Sequence, residues 1–440
     1  MPASQRQKKT NSAENGAGAA ATADWLITGC SELITLAGSA PRRGRALGDL
    51  GLIRNGAILV RDGHIAAAGP RTRIERLREA RQARKLDLGG RVVTPGFVDS
   101  HTHLVFATSR AKEYEMRIAG ATYEEIAAAG GGILSSVRGL RGISQSKLEI
   151  KALGWLEQFA LHGTTTVEAK SGYGLNWKSE KKILRAEQAL RQMQPLEIVP
   201  TFLGAHVAPP EFRGRAGDYI ELMARRWIPQ VAKEGLAEFC DVFCDRGAFT
   251  TAQSRRVLTA ARACGLGLRM HAEQLAHTGA ARLAVELHAA SADHLDRVSA
   301  ADIRALASSD VACTLLPGCS FHLGLKEYPP ARKLIEAGAI VALATDFNPG
   351  TCPTLSMPMI LSLACTQMRM SPAEALAAAT INAAYALRRH YRIGSLEPGK
   401  RADLAVFNLA EAREIPYYFG VNLCCLVMKR GAILHSTLRL

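Results

Sequence analysis

From residue 91 onward, short apolar, β-branched runs alternate with amphipathic stretches. The runs at 98–103, 164–169, 198–206, 239–245, 265–271, 289–294, 311–316 and 340–346 read as strands. Between them, 147–162, 180–193, 254–264 and 331–337 carry apolar positions at helical spacing. Eight β/α repeats are the number a closed parallel barrel requires, so the pattern predicts an α/β fold built on a (β/α)8 TIM barrel over 95–395. The flanks read differently. GAILVRDGHIAAAG is two short strands joined by Asp62-Gly63, a favoured hairpin turn. LEPGKRADLAVFNL and CCLVMKRGAILH, near the other end, are again strand-like with glycine turns. Residues 25–94 and 396–440 are therefore expected to form a small composite β-sandwich domain from both termini.

Composition narrows the class without naming a function. The 440 residues are 48% hydrophobic and 22% charged, as in ordinary globular proteins. No apolar run approaches the ~20 residues that span a bilayer. Residues 1–24 lack the apolar core of a signal peptide and are expected to be a disordered tail. The ten cysteines form no Cys-x-x-Cys pair. They read as reduced core thiols, which points to a cytoplasmic protein. The net charge of +15 is compatible with nucleic-acid binding, but the Lys and Arg residues are scattered and no basic motif is interleaved with aromatics. Solvated surface charge that also draws in an anionic substrate is the expectation, with no nucleic acid and no membrane partner.

Chemistry collects at the ends of the predicted strands. His103, His206, Asp245, His271, His294 and Asp346 all close such runs, and barrel enzymes place their working groups at the C-terminal strand ends. His101 and His103 share one face of a strand because side chains alternate with period two. An isolated His-x-His pair is as readily surface polarity as a metal site. With His271 from the fifth strand and Asp346 from the eighth, three imidazoles and one carboxylate converge, a donor set that suits zinc or iron. Arg110 follows the first strand and offers a guanidinium fork, or is a structural arginine. Tyr173 lies between Gly172 and Gly174, and reads either as a presented phenol or as loop packing. His206 and His294 could polarise a carbonyl or be core histidines. Asn348-Pro-Gly-Thr351 could bind a heterocycle or be a plain turn.

VTPGFVDSHTHLVFATSR, GGGILSSV, TTTVEAKSGYGL, TFLGAHVAPPEF, CDVFCDRGAF, HAEQL, SADHL, TLLPGCSF and ATDFNPGT together resemble the amidohydrolase superfamily. Within it, SGYGL, GAHVAPPE and TDFNPGT are similar to the imidazolonepropionase family of histidine degradation, over roughly residues 25–435. The resemblance implies one zinc or iron ion per chain, held by His101, His103, His271 and Asp346. It implies hydrolysis of the cyclic amide C–N bond of 4-imidazolone-5-propanoate to N-formimino-L-glutamate. His294 and Asp346 match its catalytic positions, with Asp346 taking a proton from water and passing it to the leaving nitrogen. Arg110, Tyr173, His206, Gln274, Asn348, Gly350 and Thr351 match its substrate-binding positions. Gln274 stands where some members carry Glu, and an amide cannot serve as a base; Glu273 beside it should point elsewhere. Lys170 could suggest a carbamylated lysine bridging two metals, but its context matches the one-metal pattern. The family also admits a homodimer, although no interface is legible. The rival readings are a deaminase or other cyclic amidase, a silent scaffold (against which all four ligands stand intact) and a nucleic-acid binder.

Overall fold

The computed structural model describes residues 23–122, 125–126 and 129–438. Most of the tail expected at 1–24 lies outside the described residues. The chain opens with β1 (Trp25–Ile34), β2 (Leu52–Arg61), β3 (His64–Pro70) and β4 (Arg84–Pro95). Asp62 (φ 47°) and Gly63 (φ 74°) turn β2 into β3 as the dipeptide predicts. Then come the barrel strands β5 (Phe97–Asp99), β6 (Thr164–Lys170), β7 (Glu197–Ala205), β8 (Phe239–Cys244), β9 (Gly267–Ala272), β10 (Ser291–His294), β11 (Ala312–Leu315) and β12 (Ile340–Leu343). These form one eight-stranded sheet in chain order, parallel throughout.

All eight barrel strands fall within two residues of a predicted run at their start, and four predicted helices are present as Gln145–Leu161, Trp177–Met193, Thr251–Ala263 and Ala331–Ala337. The observed starts at Gln145, Trp177 and Thr251 are set by polar caps, Ser144, Asn176 and Thr250, each accepting a backbone N–H two or three residues inside the helix. Two strand ends are shorter than predicted. Ladder pairing stops at Asp99, so His101-Thr102-His103 lies just beyond β5, and Asp346 lies beyond β12. These two extensions nevertheless close the barrel on each other. Asp346 N donates to His101 O at 3.0 Å, and His103 N donates to Phe347 O at 2.8 Å. Thr102 and Phe347 form a parallel bridge between them. The closure thus brings together the backbones that carry three of the expected ligands.

After β12 come three helices, Met357–Met368, Pro372–Ala378 and Ile381–Ala386, with most of their residues buried, the last two packed against barrel strands. Apolar residues cover most of their surface, so the amphipathic signal that marked the other helices is missing. Strands β13 (Leu404–Phe407), β14 (Cys424–Lys429) and β15 (Ala432–Ser436) then return to β4. The result is a single seven-stranded mixed sheet, β15-β14-β13-β4-β1-β2-β3, drawn from both termini as expected. Its own apolar cluster includes Ile27, Leu33, Ile58, Val93, Val406 and Met428.

The terminal sheet and the barrel meet at a buried ion cluster. Glu197, at the start of β7, accepts from Arg389 Nε at 2.9 Å and Arg401 Nη1 at 2.6 Å. Lys429 on β14 pairs with Asp403 at 2.7 Å and lies 3.9 Å from Glu197. Arg389 also pairs with Glu238. Burial alone would raise the Glu197 pKa, but Lys429, Arg401 and Arg389 outweigh it and hold the carboxyl at about 2. All ten cysteines are unpaired thiols, eight of them buried. Among the described residues no helix is long and apolar enough to cross a membrane.

Candidate active site

The barrel mouth gathers a dense set of imidazoles. His101, His103, His271 and His294 are each at most 3% exposed, and Asp346 is 2% exposed. Asp346 Oδ1 stands 3.6 Å from His101 Nε2 and 3.7 Å from His103 Nε2. The rings of His101 and His271 are 4.5 Å apart. Ligand bonds of about 2.1 Å in a tetrahedron place neighbouring donor atoms on the order of 3.4 Å apart, so this spacing suits one shared cation. One donor atom from each of His101, His103 and Asp346 forms a mutually close triplet; His101, His271 and His294 form another. His101 Nε2 and His271 Nε2 are buried with no hydrogen-bond partner. Orphaned buried nitrogens are costly unless something binds them.

Protonation state agrees with that arrangement. Burial pushes His101, His103 and His294 well below the ordinary imidazole range, so each is the neutral form that ligates metals. Burial raises Asp346 to about 7, against the pull of His271 and Lys170. The backbone is strained here too. Glu273 (φ 55°), His294 (φ 78°), Leu295 (φ 64°) and Asp346 (φ 57°) are left-handed, although none is glycine. Each such residue costs on the order of 1–3 kcal/mol and persists only where its surroundings fix it. At His294 and Asp346 the turn swings the side chain from the strand end into the mouth.

Beneath the imidazoles lies a layer that the sequence reading did not identify. Asp293 Oδ2 accepts from His101 Nδ1 at 2.7 Å, which leaves the Nε2 lone pair facing the site. Asp241 Oδ2 lies 3.1 Å from His271 Nδ1, a charge contact from the same floor. Lys170 Nζ donates to Glu168 and Asp241, both at 2.8 Å, and Arg269 Nη2 donates to Asp293 at 3.2 Å. All five side chains are fully buried. Burial opposes the charge of Lys170, but Asp241 and Glu168 raise its pKa; burial likewise opposes Asp241, yet Lys170 and His271 lower it. The ammonium of Lys170 is thus committed to two carboxylates, which is not the neutral amine that carbamylation needs. Counting Asp346, four carboxylates face two fixed cations, and the deficit equals one divalent ion. A signal for this layer exists in the sequence. FCDVFC places Asp241, LRMHA places Arg269 and His271, and VEAK places Glu168 and Lys170 inside otherwise apolar strands, which is costly unless they are partnered.

The other expected residues ring the mouth. Arg110 precedes the helix Ala111–Ile118 and pairs through Nε and Nη2 with Glu113, at 2.8 and 2.7 Å. Its third nitrogen faces Gly350, where a Cβ would fall 2.1 Å from Arg110 Nη1. Gly350 makes room for the guanidinium where it now lies, and any side chain there would push Arg110 aside. Tyr173 is buried, its ring 5.6 Å from those of both His103 and His206, and burial raises its phenol. His206 stacks on His103 at 5.2 Å, and burial lowers it to about 3. Its Nδ1 lies 3.1 Å from Gly172 O, an atom that only accepts, so the proton sits on Nδ1 and Nε2 carries the lone pair. Gly172 (φ 110°) makes that contact possible, since a Cβ would meet the His206 ring at 2.9 Å.

Asn348 spends its side chain on its own turn: Oδ1 accepts from Gly350 N and Thr351 N, and Nδ2 donates to Asp346 O and Thr351 Oγ1. Gln274 is held by its backbone N–H on Asp245 Oδ2 at 2.7 Å, and Asp245 also accepts from Leu275 and Ala276. Asp245 is therefore the anchor of this loop. Glu273 accepts from Thr278 N and Ala281 N, away from the mouth as expected.

A parallel barrel whose strand ends gather neutral imidazoles and one carboxylate over a carboxylate-rich floor defines a class, and the comparisons agree. The chain belongs to the amidohydrolase family, whose profile, "Amidohydrolase family", matches residues 92–433. Within it the chain falls among the imidazolonepropionases. It is 48% identical over 413 residues to that of Symbiobacterium thermophilum, covering 93% of this chain and 97% of the relative. It is 50% identical over 398 residues to that of Solibacter usitatus, covering 90% and 95%. Solved structures share the fold at low identity. An adenosine deaminase from Xanthomonas campestris with bound zinc has a TM-score of 0.68 at 18% identity, covering 94% of this chain and 93% of that one. Atrazine chlorohydrolase from Arthrobacter aurescens, complexed with zinc, has a TM-score of 0.64 at 17% identity, covering 94% and 95%.

Proposed function

We propose that this enzyme hydrolyses the cyclic amide C–N bond of 4-imidazolone-5-propanoate, giving N-formimino-L-glutamate, with one zinc or iron ion per chain and in the cytoplasm. The observation that carries this reading is the placement of Arg110 against Gly350, next to the turn that follows Asp346. A fixed guanidinium beside a hydrolytic centre suits a small heterocycle with a carboxylate tail. The imidazolonepropionase relatives support the same substrate.

The residues that would hold the ion are His101, His103, His271 and Asp346, and their neutral imidazoles, orphaned nitrogens and charge deficit fit one divalent cation. When bound, it supplies water acidified from about 15.7 toward ~7 and polarises the amide carbonyl. The chain's own groups do the rest. Arg110 binds the propanoate, exchanging part of its pairing with Glu113 for the substrate carboxylate. Tyr173 donates its phenol O–H, since burial keeps it protonated. His206 accepts at Nε2, so it reads a ring N–H and does not polarise the carbonyl. Asn348 holds the turn that presents the Thr351 hydroxyl and the backbone beside Gly350. Asp346 takes a proton from the attacking water at its carboxylate and returns it to the ring nitrogen as the C–N bond breaks. Neutral His294 donates one N–H to the carbonyl oxygen as negative charge develops there.

The test is turnover of synthetic 4-imidazolone-5-propanoate by the purified protein, beside a panel of purines, hydantoins and dihydropyrimidines. The reading predicts ring opening of the imidazolone alone. A purine deaminated at a higher kcat/KM would overturn it.

A further inference from the structure

One buried thiol lies against the candidate site. Cys319 sits in the short helix Pro317–His322 that follows β11, and is 3% exposed. Gly318 lets this helix approach the barrel, since a Cβ there would lie 2.7 Å from Cys352 Sγ and 2.9 Å from Ile360 Cδ1. The approach delivers Cys319 Sγ to the site. Gln274 Nε2 donates to it at 3.5 Å. The same sulfur, a ring nitrogen of His294 and a carboxylate oxygen of Asp346 lie within 4.8 Å of one another.

The polarity of this chain of contacts runs one way. Gln274 offers its NH2 group to the sulfur, which leaves the S–H free to turn toward the Asp346 carboxylate within 4.8 Å, a group that as a ligand only accepts. An amide turned over would set its carbonyl oxygen against a sulfur lone pair. The backbone of Gln274 is fixed by Asp245, and because nitrogen and oxygen are the two arms of one planar amide, an NH2 held on the thiol turns the oxygen away from it. We propose that Cys319 is a positioning residue: it orients the Gln274 amide so that its carbonyl oxygen accepts an N–H of the substrate ring. This makes Cys319 a determinant of specificity, favouring heterocycles that carry N–H at that edge over those with a bare ring nitrogen. It rests on the ring-opening reading above. It also assigns work to Gln274, which cannot act as a base.

Two measurements on the metal-loaded enzyme test this. Cys319→Ala should raise KM about tenfold, the loss of one oriented neutral hydrogen bond, with kcat changed less than about threefold and metal content unaltered. Cys319→Ser, whose hydroxyl keeps the same donor and acceptor, should bring KM back to within about threefold of the parent. Separately, the S–H stretch of Cys319, assigned in the infrared as the band lost in Cys319→Ser, should shift when Gln274→Leu removes the amide. An unchanged KM in Cys319→Ala overturns the proposal. So does a parallel fall of kcat, metal content and melting temperature in both variants, or an S–H band that ignores Gln274→Leu. If the parent enzyme does not open the imidazolone ring, the functional reading fails; the shifted S–H band would still report the thiol–amide contact by itself.

Discussion

Two buried charge clusters sit at opposite ends of the same barrel, and they differ in balance. At the N-terminal end, among the described residues, the buried or largely buried Arg389, Arg401 and Lys429 face Glu197, Glu238 and Asp403, three cations to three carboxylates, with the exposed Arg191 also 3.9 Å from Glu238. At the mouth, Lys170 and Arg269 face Glu168, Asp241, Asp293 and Asp346. The first cluster is complete and joins the terminal sheet to the barrel. The second lacks two positive charges at the point where unpartnered imidazole nitrogens converge. Burying charge is expensive wherever it occurs, so a balanced cluster reads as architecture and a deficient one as a cation site. The division also follows the general rule for barrels, with chemistry at the C-terminal face and stability at the other.

The comparison is most sharply tested at its extremes. Asp346→Asn should lower turnover by about 10²- to 10⁴-fold, the range for removing a proton-transfer group, while leaving the melting temperature near the parent's. Steady-state kinetics at matched metal content decide it, and normal activity there would remove Asp346 from the proton path. Glu197→Gln should do the opposite. Breaking a buried ion cluster costs about 3–5 kcal/mol, so urea unfolding should show a large loss of stability while kcat/KM of the folded fraction is retained.

The Glu197 cluster also sets a pH dependence. The folded carboxyl is held at about 2, below its ordinary 4.5. A depressed pKa contributes stability in full above the unfolded value, and that contribution is lost as pH falls from about 4.5 toward 2. Glu197→Gln should flatten this part of the acid limb of stability against pH. An identical slope in variant and parent would show that the cluster is not the source.

Smaller effects probe the floor and rim of the mouth. Asp241→Asn should weaken metal binding by about 10- to 100-fold, as expected when a ligand's supporting carboxylate is removed. Competition with a chromogenic chelator measures this, and unchanged affinity would mean that the floor does not support His271. Arg110→Lys keeps the charge but loses the planar fork. It should raise KM for the imidazolone propanoate by roughly tenfold, an oriented charge-assisted bond's worth, and leave metal affinity alone.

Much of this molecule is legible from its sequence because barrel strands are short, apolar and punctuated by ionisable residues. His101, His103, His271 and Asp346 are found by asking which polar side chain ends each run. The floor is harder. Asp241, Asp293, Lys170, Glu168 and Arg269 lie within strands, and only three-dimensional pairing shows that they satisfy one another. The barrel closure is also invisible in the pattern, because the segments at His101 and Asp346 are too irregular to form a regular ladder. In the sequence, Asn348 and Gly350 read as substrate contacts. The structure gives them prior work, one stapling its own turn and the other making room for Arg110. The helices after β12 escape detection because apolar residues cover most of their surface and leave no clear amphipathic stripe.

The central claim is that the mouth is built for one divalent ion and the floor is not a second metal site. Metal content measured on the same preparation as hydrolysis of 4-imidazolone-5-propanoate tests it directly. The account predicts one equivalent of zinc or iron per chain, activity lost on chelation and restored by one equivalent of metal. Full turnover by metal-free protein, or two equivalents in the active enzyme, would contradict it.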